Sequence, residues 1–122
     1  MGVVREAVTH ELHGAAFHSY VAPARGSREL CAWRLEVAAG TAGVEHRVSR
    51  EEVLLLVSGE LTVTVDGVPG EMGAGDVAFV PAGALFRVDN TSAGPASAWV
   101  TTSAGLQATL PDGSRISPPW AR

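Results

Sequence analysis

The sequence predicts an all-β chain, a sandwich or barrel built of short strands. Three observations carry that prediction. Apolar or alternating runs are short, with turn signals about every eight to twelve residues, as in compact all-β folds. Fourteen glycines serve those turns, where backbone angles closed to other residues are needed. No stretch repeats its apolar residues with the helical period over helical length.

Taken in order, residues 1–14 are mixed in polarity, and a short edge strand is expected around Val3 to Val8. Ala15 to Val21, with Phe17 and Tyr20, reads as a strand, and Pro23-Ala-Arg-Gly26-Ser as a loop. From Glu29 to Ala38 the chain alternates. Cys31, Trp33, Leu35 and Val37 form an apolar face against Ala32, Arg34, Glu36 and Ala38. The central stretch runs from Gly40 to Gly59. Its apolar run Val53 to Val57, closed by Ser58-Gly59, is too short for a typical helix and reads as a buried strand. Alternation puts Glu52, Leu54, Leu56 and Ser58 on one face, and His46 with Val48 on the face opposite Arg47. Leu61, Val63 and Val65 then alternate with threonines up to Asp66-Gly67, a tight hairpin turn. Pro69 to Asp76 reads as a turn-rich link. Val77 to Val80, Ala84 to Val88, Ala96 to Thr102 and Leu106 to Leu110 read as strands. Pro118-Pro119 keeps the tail out of any central strand, since proline cannot donate to the ladder.

A chain of 122 residues matches one domain, spanning 1–122, with a core barrel at roughly residues 15–110 between an N-terminal strand and a C-terminal tail. The hydrophobic fraction of 46% excludes general disorder. Net charge is −4 and the basic residues are scattered, so there is no electrostatic footprint for nucleic acid or an anionic membrane. A small organic molecule is the expected partner. Cys31 is the single cysteine, so no intrachain disulfide forms; in Leu30-Cys-Ala-Trp33 it reads as a small buried hydrophobe. The first residues lack a signal-peptide apolar core, Glu6 breaks the myristoylation pattern, and no run reaches transmembrane length. A cytoplasmic protein is the default expectation.

Two spaced motifs go further. Gly40, His46, Val48, Glu52 and Gly59 stand at the spacing Gly-x5-His-x-His-x3-Glu-x6-Gly. Gly75, Pro81, Gly83, Phe86 and Asn90 stand at the spacing Gly-x5-Pro-x-Gly-x2-His-x3-Asn. In this the chain resembles a small single-domain cupin of the cupin-2 type, whose fold is a double-stranded β-helix, a jelly-roll-like barrel. Eight of the ten motif positions match. Pro23 to Glu29 and the tail are similar to a group of actinobacterial cupin-domain proteins. In metal-binding members, two histidines and the glutamate of the first motif join the histidine of the second. Here Val48 and Phe86 stand at two of those three histidine positions. Catalytic zinc has three protein ligands, and non-haem iron two histidines and a carboxylate. The resemblance therefore implies the fold without the metal, and no cofactor is expected. If a metal is bound, His46, Glu52 and a projecting His18 are the ligand set.

His46 and Glu52 are the candidate catalytic pair. An imidazole titrates near neutrality, and a carboxyl in a site dried by Val48, Leu54 and Phe86 has its pKa raised. The two are expected in direct or one-water reach at the base of the main pocket, where an unpaired polar group is costly. The plainer alternative makes both structural, a hydrogen-bonded barrel histidine and a buried carboxylate paired with His46 or Arg34. Trp33, Tyr20, Val48, Leu54, Phe86 and Trp99 are candidates for a ligand-binding wall, against ordinary core packing. Trp120 either caps a barrel mouth or packs across an interface. Three functions stay open: a metal-independent isomerase, cyclase, dehydratase or lyase; a non-catalytic ligand-binding or sensing module; and a metal-dependent oxygenase or isomerase with an unusual ligand set. By resemblance a homodimer is expected, with the N-terminal strand or the Trp120 tail at its interface.

Overall fold

A computed structural model describes residues 2–122. Its strands are β1 (Val8–Leu12), β2 (Ala15–Val21), β3 (Leu30–Val37), β4 (His46–Val48), β5 (Glu52–Ser58) and β6 (Leu61–Val65). They continue as β7 (Val68–Met72), β8 (Val77–Val80), β9 (Leu85–Asp89), β10 (Ala96–Ser103), β11 (Ala108–Thr109) and β12 (Arg115–Ile116). Two antiparallel sheets result, ordered β1-β2-β3-β10-β5-β8 and β12-β11-β4-β9-β6-β7. The core lies between them. Trp33, Leu35, Leu54, Leu56 and Val100 of the first sheet meet Val48, Leu61, Val63 and Phe86 of the second. The only helical turns among the described residues are short 3-10 segments, Pro23–Arg25 and Pro119–Ala121. No helix there is long and apolar enough to cross a membrane.

Several motif residues turn out to shape the backbone. Gly59 has φ +82°, and a Cβ there would lie 2.4 Å from the Pro95 carbonyl oxygen, so this turn admits only glycine. Asn90 is fully buried. Its amide donates to the Val37 and Gly94 carbonyls, and its oxygen accepts from the Ser92 backbone and hydroxyl, pinning the loop that leads into β10.

Four expectations about elements change. The N-terminal strand is Val8–Leu12 rather than Val3 to Val8. His13 (φ 48°) and Gly14 (φ 80°) form a left-handed two-residue turn that folds it back on β2. Part of the link Pro69 to Asp76 is β7, an edge strand on β6, where Pro69 leaves no central ladder bond unmade. Leu106 to Leu110 keeps only the two-residue β11. The run Val53 to Val57 is not buried throughout: Leu54 and Leu56 face the core, while Val53, Leu55 and Val57 are exposed. Ser58 is also exposed, because the register against β10 skips between Ser97 and Ala98 and breaks the alternation.

Candidate functional site

A cavity of about 180 Å3 opens between the two sheets. Its wall grades from buried to exposed. Trp33, Glu52, Leu54, Val80 and Val100 form the buried end, and Leu12, His13, Ala42, Val44 and Ile116 form the exposed mouth. The C-terminal tail closes part of it. The Trp120 ring stacks on Phe17 at 3.6 Å between centroids, its carbonyl accepts from Ser19 Oγ at 2.9 Å, and both rings line the cavity. Trp120 is thus a cap within its own chain.

Glu52 opens β5, between Thr102 of β10 and Val80 of β8. Thr102 Oγ1 donates to the Glu51 carbonyl at 2.6 Å and fixes the entry of the strand. Alternation then turns the Glu52 side chain inward, where it is 5% exposed. Burial pushes its carboxyl up to about 7. His46 opens β4 on the facing sheet, paired with Phe86. Its ring lies 4.4 Å from the Phe86 ring, centroid to centroid. Burial holds the imidazole below its ordinary value, against a hydrogen bond to the Val44 carbonyl that works the other way. A carbonyl only accepts, so the proton of the neutral ring sits on Nδ1, 2.8 Å from Val44 O, and Nε2 is left as an acceptor.

The two candidates therefore share one cavity but not a bond. They form neither a hydrogen bond nor an ion pair, so of the direct or one-water reach expected, the direct contact is not made. The chain changes sheets between β4 and β5, so the pair stands across the sandwich. Trp33, Val48, Leu54 and Phe86 line the cavity as expected. Tyr20 and Trp99 do not: their rings meet at 5.5 Å on the outer face of the first sheet, opposite in parity to inward Ser19 and Val100. His18 lies on that same outer face, bonded to Thr9 and Glu36 beside Arg34, and cannot reach the cavity. The Arg34 guanidinium, bonded to Glu36, and His18 hold the Glu36 carboxyl below its usual range. Sequence reasoning missed Val80, Val100, Leu110, Ile116 and Pro118 in the wall. The opposite parity of Phe17 and Tyr20 within one strand was the available signal for placing Phe17 inside and Tyr20 outside.

The donor set does not fit the metal of metal-binding cupins. Val48 is 2% exposed and apolar, and Phe86 fills the space beside His46 with a phenyl ring. Among the described residues no cluster of three or more His, Cys, Asp or Glu side chains is poised to hold an ion.

With this geometry the chain can be compared with known proteins. The family model described as "Cupin domain" matches residues 33–102, more than half of the sequence, and the chain belongs to the cupin-2 family. No curated protein matches it. Among solved structures it is similar to an RmlC-like cupin from Shewanella frigidimarina, with TM-score 0.69 and 24% identity over 80% of this chain and 83% of that one. It is also similar to the polyketide cyclase RemF from Streptomyces resistomycificus, with TM-score 0.68 and 17% identity over 82% of this chain and 70% of that one. A sugar phosphate isomerase of the cupin superfamily from Silicibacter pomeroyi gives TM-score 0.70 and 15% identity over 97% of this chain and 90% of that one. At these identities the likeness shows the fold alone.

Proposed function

We propose that this cupin binds a small organic molecule in the cavity and moves a proton on it without a metal. Glu52 is the acid–base group and His46 its neutral partner. The observation that carries this reading is the buried Glu52 carboxyl, raised to about 7 in the wall of a mostly apolar cavity. A group whose pKa lies near the working pH is both an available base and an available acid. The carboxylate would take a proton from a carbon beside a carbonyl, and the same carboxylic acid would return it to another atom of the intermediate. Atoms balance without a redox partner. Isomerisation, cyclisation and dehydration all use such a step, and the sugar phosphate isomerase and polyketide cyclase among the similar structures accord with that chemistry. His46 Nε2 offers a second acceptor from the opposite sheet.

The test is hydrogen–deuterium exchange into an enolisable ketone, acetophenone, in D2O, followed by NMR. Deuterium should enter the methyl group faster with the protein than in buffer. Glu52→Gln should lower the protein-dependent rate by about a hundredfold, within the range a general base supplies, and His46→Ala should lower it less. An exchange rate indifferent to Glu52→Gln overturns the proposal. Binding without exchange would leave the chain a ligand-holding module.

A further inference from the structure

Two groups in the cavity wall are acceptors that no donor of the chain meets. Among the described residues, Trp33 Nε1 is the only buried side-chain nitrogen or oxygen that is both sealed and unpartnered, so it offers a ligand nothing. His46 Nε2 and the Glu52 carboxyl oxygens also lack a partner there, yet they are not sealed and keep surface of their own. Both residues line the cavity from inward-facing strand positions, so that surface opens into it. His46 Nδ1 gives its proton to the Val44 carbonyl, which leaves Nε2 an acceptor, and an ionised carboxylate only accepts. An acceptor turned away from bulk water and left without a donor is costly, so these atoms point to a donor brought by a ligand. Charge narrows the donor. No arginine lines the cavity and the chain has no lysine, so an anion meets no fixed positive charge. A cation would have to pair with Glu52 in a mostly apolar wall, where desolvating two charges can exceed what their attraction returns. A neutral hydroxyl supplies the donor without the charge. Size and polarity give the rest. An apolar cavity of about 150 Å3 accepts benzene, and this one is about 180 Å3, with Leu12, Val44 and Ile116 at its exposed mouth.

We infer that the cavity selects a neutral, single-ring compound bearing a hydroxyl group, whose O–H donates to His46 Nε2. This rests on the reading of the cavity as a ligand site. Glu52 is taken by the proton it moves, and His46 Nε2 is the acceptor left over. His46 is then the binding residue that holds the substrate to the sheet facing Glu52, and the Glu52 oxygens stay free for the chemistry.

Binding, rather than turnover, tests it, so the two proposals fail separately. Three probes of nearly one shape are titrated into the full chain at pH 8: benzyl alcohol; ethylbenzene, with CH3 in place of the hydroxyl; and benzylammonium, with NH3+ there. Benzoate is the anionic control. Benzyl alcohol should bind more tightly than benzylammonium, and benzoate should not bind. The ratio of alcohol to hydrocarbon affinity should fall about tenfold in His46→Phe, the scale of one hydrogen bond, and stay unchanged in Glu52→Gln. Taking the ratio of two probes of one shape cancels any change in packing that the phenyl ring brings. Should His46→Phe not fold, 15N NMR of the unaltered chain gives the same answer. The His46 ring is recognised by its contact with Phe86. Its Nε2 signal should move toward the range of a protonated nitrogen with benzyl alcohol and stay with ethylbenzene. A ratio unmoved by His46→Phe, a ratio lost in Glu52→Gln, an unmoved Nε2 signal, or tighter binding of benzylammonium or benzoate each overturns the inference while leaving the cavity a ligand site. No binding of any probe overturns both proposals.

Discussion

At the scale of the residue, Glu52 shows how an ordinary strand position becomes a chemical one. Its sheet neighbours Thr102 and Val80 are buried, and no bonded cation offsets the burial. The sign of the consequence follows from its pKa, about 7 when folded against 4.5 as the ordinary value. Between those values the folded chain binds the proton more tightly than the unfolded chain, so stability falls as pH rises. The cost is absent below 4.5, grows through the interval and is complete above 7, where it reaches about 3 kcal/mol. His46 acts in the opposite direction, its pKa being lowered, and costs stability only as pH falls below its ordinary 6.5. Comparing Glu52→Gln with the unaltered chain cancels that second contribution. The variant should melt several degrees higher at pH 8, and the gap should close by about pH 4, the range where both states of the carboxyl are protonated. A gap of equal size at both pH values would mean that burial does not act on this carboxyl as described.

At the scale of the element, what could be read in the sequence divides by whether local chemistry or distant pairing decides. The β3 face of Cys31, Trp33, Leu35 and Val37 was legible because strict alternation is a local property. So was the hairpin at Asp66-Gly67, whose φ values of 47° and 80° are those its residue types favour. The spacing of the two motifs likewise foretold the fold and placed His46 and Glu52 in one cavity. The turn at His13-Gly14 was missed because histidine is not a usual first residue there, and with it the position of β1. Tyr20 and Trp99 were candidates for the ligand wall as aromatic residues, although opposite parity to inward Ser19 and Val100 sends them out. That His46 and Glu52 rise from facing sheets was not legible. It depends on which sheet each strand joins, a property of long-range pairing rather than of spacing. The tail was legible as a segment that ends strand pairing, but its docking on Phe17 rests on contacts about a hundred residues apart in the chain.

At the scale of the molecule, the outer face of the first sheet carries an apolar surface that the cavity does not explain. Val53 and Leu55 of β5 stand beside Phe79 and Val77 of edge strand β8 and, with Val57, are exposed. No charged side chain interrupts these five residues, whereas the chain as a whole carries −4. We propose that a second copy covers this face, because two acidic chains meet there without like charges opposed. Trp120 stacks on Phe17 within its own chain. Light scattering at micromolar concentration should give twice the chain mass, and Leu55→Glu with Phe79→Glu should halve it. A single-chain mass for the unaltered protein rejects the dimer. The account as a whole, however, stands on the cavity and on the one carboxyl that the fold carries into it. The most direct measurement is a 13C NMR titration of the Glu52 side-chain carboxyl in the folded protein. The account predicts a midpoint at about 7; a midpoint at the ordinary 4.5 would contradict it.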